Sequence, residues 1–461
     1  MYGTTQKIHF VGIGGIGMSG IAGLLISLGY TVSGSDLERS AITDNLLALG
    51  ASVNYGHRAE WVEGADVVVT SSAIAEDNPE VIEAERLGIP VIQRAEMLAE
   101  LMRLKKFGIA VAGSHGKTST TSMIGWLLAQ AGLDPTIVVG GRVDVLGGNA
   151  KLGEGEFLVA EADESDGSFL KLSPVLEVIT SIDLEHLDYY NDIDQIKDAF
   201  LQFIDKIPFY GAAIVCLDDK NIVSILPRIK KRVISYGLTS QADVFAENIK
   251  IADGRVVFTV RTQEETLGKV ALFPPGRHNV YNALGAVCVG LELKIPFAEI
   301  VEGLARFGGV QRRMQLKGKC LDIMVVDDYG HHPTEIRATI SAVREAWPET
   351  RLVVLFQPHR YSRTRALFEE FQDSFHQADV LVLTEVYAAG EAPIDGASGR
   401  DLLEHIKLHG QRYALFFDDV TTLADELLPY LQKGDLVLTL GAGNIVQAGE
   451  RLLALLKDKI C

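Results

Sequence analysis

The sequence predicts an α/β fold in three domains, each a parallel sheet with helices on its faces. Three observations lead there. The chain has 461 residues, close to three times a typical domain length of about 150. Apolar strand patterns alternate with helical patterns throughout, and the alternation restarts after Lys105-Lys106 and again beyond Gly308-Gly309. Two glycine-rich turns, Gly12 to Gly17 and Gly113 to Gly116, stand between a strand and a helix, where backbone N–H groups can face an anion. The expected domains are residues 1–106, 107–313 and 314–461.

The first segment opens with a short apolar strand, Lys7 to Val11. Helical spacing follows from Met18 to Leu28, then extended segments at Thr31–Gly34, Asp66–Thr70 and Pro90–Ile92, with helices at about Pro79–Leu87 and Ala95–Leu104. Buried strands alternating with helices imply a parallel sheet. The second segment has a strand at Phe107–Val111 and a helix at about Thr118–Ala131. Strands at Phe157–Ala160, Leu176–Ser181 and Ala212–Leu217, a helix at Asp194–Lys206, a meander over about 243–273 and a helix at Asn279–Leu291 complete it. The third has strands at Ile323–Val326, Leu352–Phe356, Val380–Thr384 and Leu436–Leu440, each followed by a helix pattern.

Composition narrows the function. Hydrophobic residues make up 47% and charged residues 23%, which are globular values. A net charge of −18 disfavours nucleic acid, whose backbone needs a positive face. Cys216, Cys288, Cys320 and Cys461 are scattered without a Cys-x-x-Cys pair, which points to reduced thiols in a cytoplasmic protein, with no zinc site or disulfide framework. Val11 to Ser35 carries no charge, but its seven glycines from Gly12 to Gly29 argue against a signal peptide or membrane span.

In Gly113-Ser114-His115-Gly116-Lys117-Thr118-Ser119 the glycines permit a tight turn, Lys117 supplies a cation for a terminal phosphate, and Thr118 a hydroxyl suited to Mg²⁺. Val111 stands where the usual phosphate loop has Gly, so the loop is a shorter variant. An ordinary strand-to-helix turn is the rival reading. Gly12, Gly14, Gly15 and Gly17, with Asp36 at the end of the next strand, fit a diphosphate-binding fingerprint; helix–sheet packing is the alternative there. Ser71 and Ser72 lie at a strand's carboxyl end, where ligands approach open sheets. Of the acids in Glu161-Ala-Asp-Glu-Ser-Asp, Glu161 lies nearest the sheet and is the candidate Mg²⁺ ligand, most of the others reading as solvated loop residues. His186 follows another strand end, although an isolated histidine is as a rule structural. Asp327 to Glu335 and Pro358 to Arg363 gather Arg, His and Asp at strand ends, a cluster suited to an acidic or zwitterionic molecule. Gly441-Ala442-Gly443-Asn444 lacks Lys and reads as structural.

Taken with Gly276 to Asn282, Arg312-Arg313 and Asp327-Asp328-Tyr329-Gly330-His331-His332-Pro333-Thr334-Glu335, these motifs resemble the Mur ligases, ATP-dependent amide-forming enzymes of peptidoglycan precursor synthesis. The resemblance spans essentially the whole chain. It implies a Rossmann-like N-terminal domain for a UDP-sugar, a central P-loop ATPase-like domain, and a Rossmann-like C-terminal domain for an amino acid. It implies that Lys117 contacts the terminal phosphates of ATP, that Thr118 and Glu161 bind a first Mg²⁺, and that His186 holds a second metal. His278, Asn279 and Asn282 would belong to the nucleotide site, with Arg313 and Asp328 in the polar set between central and third domains. Tyr329, His331, His359 and Arg363 would line the amino-acid side. The N-terminal glycines, Asp36, Ser71, Ser72 and Arg94 would surround the UDP-sugar. Ser114 and Ser119 stand where the family often has Thr, and Met314 where Phe is common; no needed functional group is lost. No carbamoylated lysine is identified.

The reaction so implied joins L-alanine to the carboxylate of UDP-N-acetylmuramate through an acyl phosphate, in a cytoplasmic monomer or homodimer. A ligase recycling a tripeptide onto the same sugar is the near rival. An NAD-dependent oxidoreductase is the distant one, and it leaves Lys117-Thr118 and the third segment without a task.

Overall fold

The computed structural model describes residues 5–71, 73–143, 148–186, 189–252 and 254–458. Two compact units result: Met1–Asn248 with Phe258–Val270 and Tyr281–Gly308, and Ile249–Val257 with Ala271–Val280 and Gly309–Cys461.

The first unit carries a five-stranded sheet built from β1 (Lys7–Val11), β2 (Thr31–Asp36), β3 (Ser52–Tyr55), β4 (Val67–Thr70) and β5 (Val91–Gln93). Its order is β3-β2-β1-β4-β5, parallel throughout. The helix Ile16–Ser27 follows the glycine turn. The helix Pro79–Leu87 has the expected bounds because its ends are chemically marked. Asn78 caps its N-terminus, proline stands in its first turn, and Gly88 ends it at φ 71°.

A ten-stranded sheet follows, from β6 (Phe107–Ala112), β7 (Thr136–Val143), β8 (Gly148–Lys151), β9 (Phe157–Glu161), β10 (Leu176–Ile179), β11 (Ala212–Cys216), β12 (Val233–Gly237), β13 (Val244–Ala252), β14 (Arg255–Thr262) and β15 (Thr266–Leu272). The order is β15-β14-β13-β12-β11-β10-β6-β9-β7-β8. β6 lies between β9 and β10, parallel to both. The phosphate turn therefore leaves the sheet between two neighbouring strand ends, where an open parallel sheet presents its ligand crevice.

The second unit holds β16 (Gln315–Cys320), β17 (Ile323–Asp328), β18 (Leu352–Phe356), β19 (Val380–Thr384), β20 (Ala414–Phe417) and β21 (Leu436–Leu440), in the order β16-β17-β21-β18-β19-β20. Only the β16–β17 pair among them is antiparallel. Its strands β18, β19 and β21 are apolar on both faces. Val354, Phe356, Leu381, Leu383, Leu436 and Leu438 enter one core, and Val353, Leu355, Val380, Val382 and Val437 the other. This period-two division is why the strands read as continuous apolar runs. The bounds expected for β18, β19 and β21 are the observed ones.

One feature of the first unit's core works against burial. Glu177 in β10 is fully buried, and neither carboxylate oxygen has a hydrogen-bond partner among the described residues. Burial pushes its pKa well above the ordinary carboxylate value, and the charges of Lys206 and Lys231 offset this only in part. Because folding raises the pKa, the stability linked to this group is complete below about pH 4.5 and declines as pH rises toward the folded value. Glu177→Leu should remove that decline and stabilise the fold at pH 8 by about 1–3 kcal/mol, the usual cost of an unsatisfied buried polar group. Thermal melts of both forms between about pH 5 and pH 8 check this: the gap must widen with pH, and a constant gap contradicts the assignment.

Candidate functional site

At the glycine turn, the end of β2 organises the backbone. The Ser35 carbonyl accepts the N–H groups of Gly12 and Ile13, both at 2.9 Å, and one Asp36 carboxylate oxygen accepts Gly14 N–H at 2.7 Å. Asp36 thus braces the turn with one oxygen. Arg94 lies against Gly17, where an added Cβ would stand 3.1 Å from Arg94 Cδ, and its guanidinium donates to Asp163 at 3.2 Å. This contact links the glycine turn to the acidic run after β9. The Ser71 carbonyl accepts Ile74 N–H at 3.0 Å. Ser72 lies outside the described residues.

The phosphate loop owes its shape to Gly113 at φ 136° and Gly116 at φ 82°. A Cβ at Gly113 would fall 2.2 Å from Thr180 Oγ1, and one at Gly116 2.5 Å from Asn282 Oδ1, so only glycine fits either position. Ser114 N–H donates to the Ser181 carbonyl at 3.0 Å, His115 N–H to Ser181 Oγ at 3.0 Å, and the Ser114 hydroxyl accepts Asp183 N–H at 2.8 Å. The helix Lys117–Gln130 starts here with no side-chain cap, leaving its N-terminus suited to an anion. Thr118 and Ser119 are buried at its start. Asn282 Oδ1 accepts from Thr120 Oγ1 at 3.2 Å, which places it against this loop in the same unit.

Lys117 Nζ donates to the carbonyls of Gly113 (2.6 Å) and Ser114 (3.3 Å) and to Glu164 Oε1 (2.7 Å). Burial alone would lower its pKa, but the charges of Glu164, Glu185 and Asp163 raise it, so the ammonium is cationic at neutral pH. Glu164 is correspondingly held low against its own burial by Lys117 and His186. Thr118 Oγ1 donates to Glu161 Oε1 at 3.0 Å, and Gly140 N–H to Glu161 Oε2 at 2.6 Å. Burial raises the Glu161 pKa. His186 Nε2 lies 3.2 Å from Glu164 Oε1 and 3.6 Å from Glu185. Burial would lower its pKa, but the hydrogen bond it donates to Glu164 raises it.

The acidic run corrects an expectation. Glu161, Asp163, Glu164 and Asp166 are all shielded from solvent at least in part, and Glu164, read as a loop residue, is 1% exposed. Glu161 and Glu164 both meet the start of the helix after the phosphate loop, through Thr118 and Lys117. Donor atoms of Glu164, Glu185 and His186 lie within 4.8 Å of one another, and Glu164 Oε2 is buried with no hydrogen-bond partner among the described residues. Hard oxygens, an imidazole nitrogen and an orphaned carboxylate oxygen fit a small divalent cation. The run itself carries no signal that singles out Glu164, whose role comes from Lys117, 47 positions away.

In the second unit, functional candidates gather at the carboxyl ends of β17, β18 and β21. Asp328 accepts Gly330 N–H at 2.7 Å and Met314 N–H at 2.8 Å, and burial pushes its pKa up to about 6. Arg313 donates to Glu335 at 3.3 Å, and the guanidinium carbons of Arg312 and Arg313 stand 5.0 and 5.3 Å from the Tyr329 ring centre. His331 Nδ1 lies 3.2 Å from the Tyr329 carbonyl, and burial lowers its pKa to about 3. His359 stacks on Tyr387 with centroids 5.5 Å apart. Arg363 donates to it at 3.1 Å, and burial followed by the Arg363 charge lowers its pKa to about 4. Both imidazoles are therefore neutral at pH 7. His278 contacts Asn279 Nδ2 at 3.0 Å, and Asn279 donates to the Pro275 carbonyl. These two and Asn282 stand on one helix, Arg277–Glu292.

Arg312, unassigned from sequence, organises this edge. It donates to the carbonyls of Gly441 (2.5 Å) and Gly443 (3.2 Å) and to Asp327 (3.2 Å), and Asp327 is wholly buried. The Gly441–Asn444 turn is thus structural, as its composition suggests.

Comparison with known proteins agrees with these clusters. Residues 7–106 match the Mur ligase family, catalytic domain, residues 111–290 the Mur ligase middle domain, and residues 312–443 the Mur ligase, glutamate ligase domain. The chain is 68% identical over 456 residues to the UDP-N-acetylmuramate–L-alanine ligase of Desulfotalea psychrophila, covering 99% of each chain. The chain belongs to the Mur ligase family. Among solved structures, it is similar to the UDP-N-acetylmuramate–alanine ligase of Thermotoga maritima, with a TM-score of 0.84 and 30% identity over 98% of this chain and 99% of the other. A murein peptide ligase from Psychrobacter arcticus matches at a TM-score of 0.70 and 25% identity, over 98% of each chain. In this Mur ligase the three-domain α/β architecture and the two glycine turns are those the sequence led us to expect.

Replacing Arg312 by alanine leaves the buried Asp327 carboxylate without its cation. The variant should lose about 3 kcal/mol, near the low end for a broken buried pair because Arg312 is partly exposed. Arg312→Lys should recover part of the loss, since it restores charge without the planar fork. Urea unfolding of the three forms measures this, and equal midpoints would refute the role.

Proposed function

We propose that this Mur ligase joins L-alanine to the carboxylate of UDP-N-acetylmuramate at the expense of ATP, as a step of peptidoglycan precursor synthesis in the cytoplasm. The single observation that carries the reading is Lys117, cationic and anchored between the phosphate turn and Glu164. Full-length similarity to L-alanine ligases supports the choice of substrates. No described helix is long and apolar enough to cross a membrane. Residues 1–106 would hold the sugar nucleotide, 107–313 the ATP and 314–461 the amino acid.

A carboxylate is a poor electrophile, and both it and the γ-phosphate are anionic. Transfer of the γ-phosphoryl group to the sugar carboxylate gives an acyl phosphate and ADP; the neutral amine of alanine then attacks the acyl carbon and phosphate leaves. The chain's part is positioning and charge compensation. The first turn of the helix Lys117–Gln130 orients the phosphates by its N–H groups. All three protons of the Lys117 ammonium are engaged, so an arriving phosphate oxygen takes the place of one acceptor while Glu164 keeps the side chain aimed. A first Mg²⁺ held by Thr118 and Glu161, and a second metal held by His186 with Glu164 and Glu185 alongside, would neutralise phosphate charge when bound. On the amino-acid side, neutral His331 and His359 sit with Arg363 and Tyr329, and Arg313 and Asp328 complete the polar set.

ADP release should require all three substrates for full rate and fall to background with Lys117→Ala, whose fold should persist by circular dichroism. Hydroxylamine should trap a hydroxamate of the sugar when alanine is withheld. Faster turnover with a tripeptide than with L-alanine would overturn the assignment of acceptor, and coupling without phosphoryl transfer to the carboxylate would overturn the route.

A further inference from the structure

Beneath the glycine turn lies a buried polar array that the reaction does not use. Glu80, fully buried at the start of the helix Pro79–Leu87, receives two imidazoles. His9 Nε2 of β1 is 2.7 Å from Glu80 Oε2, and His57 Nδ1, in the loop after β3, is 2.8 Å from Oε1. His9 Nδ1 continues to Ser33 Oγ at 2.8 Å, and Ser35 Oγ lies 3.2 Å from His57 Nδ1. Burial would raise the Glu80 pKa, yet the hydrogen bonds from His9, His57 and Ser35 bring it below the ordinary value. An ionised carboxylate only accepts, so His9 carries its proton on Nε2 and His57 on Nδ1. Four elements are tied by one side chain.

Two of the bonded groups adjoin the turn. Ser35, beside His57, is the residue whose carbonyl holds Gly12 and Ile13. The Asp36 carbonyl accepts Gly56 N–H at 2.8 Å, one residue before His57, while its carboxylate holds Gly14. The His57 side chain is 17% exposed, whereas Glu80 is sealed. A buried carboxylate is costly to desolvate, and a packed apolar side chain would hold the helix to the sheet without that cost. What the carboxylate adds is direction: it fixes the His57 ring and, with it, the strand end that shapes the turn.

We propose that Glu80 is a positioning residue for the sugar nucleotide, acting through His57 and the Ser35–Asp36 strand end on the glycine turn. The inference rests on the reading of that turn as the UDP-sugar site. The test is calorimetric binding of UDP-N-acetylmuramate and, separately, of ATP to the whole chain and to Glu80→Gln, His57→Gln and the double variant. Each single change should weaken sugar-nucleotide binding about tenfold, in the range of one hydrogen bond to a charged group, while ATP binding stays within about twofold. The double variant should be no weaker than Glu80→Gln alone, because both changes break one path. Folded variants that bind the sugar nucleotide like the parent overturn the inference, as do additive losses or equal losses for ATP. If Glu80→Gln fails to fold, His57→Gln must still show the selective loss, and its absence overturns the proposal. A parent chain that binds ATP but no UDP-sugar defeats the functional reading and this inference together. A parent that binds both, with indifferent variants, defeats this inference alone.

Discussion

The ion pair between Lys117 and Glu164 is the contact on which the rest of the central site depends. Two glycines bend the chain so that loop carbonyls face inward, and the ammonium bridges them to a sealed carboxylate. An isolated lysine there would be driven toward neutrality by desolvation. Its acidic surroundings reverse that tendency, and Glu164 is in turn held low by the lysine and by His186. The loop, the end of β9 and the segment after β10 are consequently one electrostatic unit, and each needs the others to hold its charge.

Much of this was legible in the sequence, for identifiable reasons. Strands buried on both faces, such as Leu352–Phe356 and Leu436–Leu440, are runs almost wholly apolar, with sharp ends. The helix Pro79–Leu87 carries its own punctuation in Asn78, Pro79 and Gly88. Elements with mixed composition escaped notice: β8 reads Gly-Asn-Ala-Lys, and β16 reads Gln-Leu-Lys-Gly-Lys-Cys, because pairing with a neighbour decides them where side-chain pattern does not.

The site was legible where backbone geometry demands a residue type and illegible where long-range pairing assigns the role. Gly113, Gly116 and Lys117 are adjacent in the chain, so their joint meaning is local. Glu164 acquires its function from a partner 47 positions away, and Glu80 from partners 71 and 23 positions away. Nothing in a linear acidic run says which carboxylate will be folded inward. Arg312 shows the same limit. Its neighbour Arg313 shares its type and donates to Glu335, while Arg312 reaches the Gly441 and Gly443 carbonyls.

The three cysteines within the described residues are unpaired and buried. Desolvation pushes the Cys216 thiol up to about 12 and raises that of Cys288 as well. Thiolate is the reactive species, so alkylating reagents meet these sulfurs only when the surrounding packing opens. Cys216 and Cys288 fall in one unit and Cys320 in the other. The chain therefore contains built-in reporters of breathing, one set for each compact body, whose labelling rates would rank the local openings without any engineered probe.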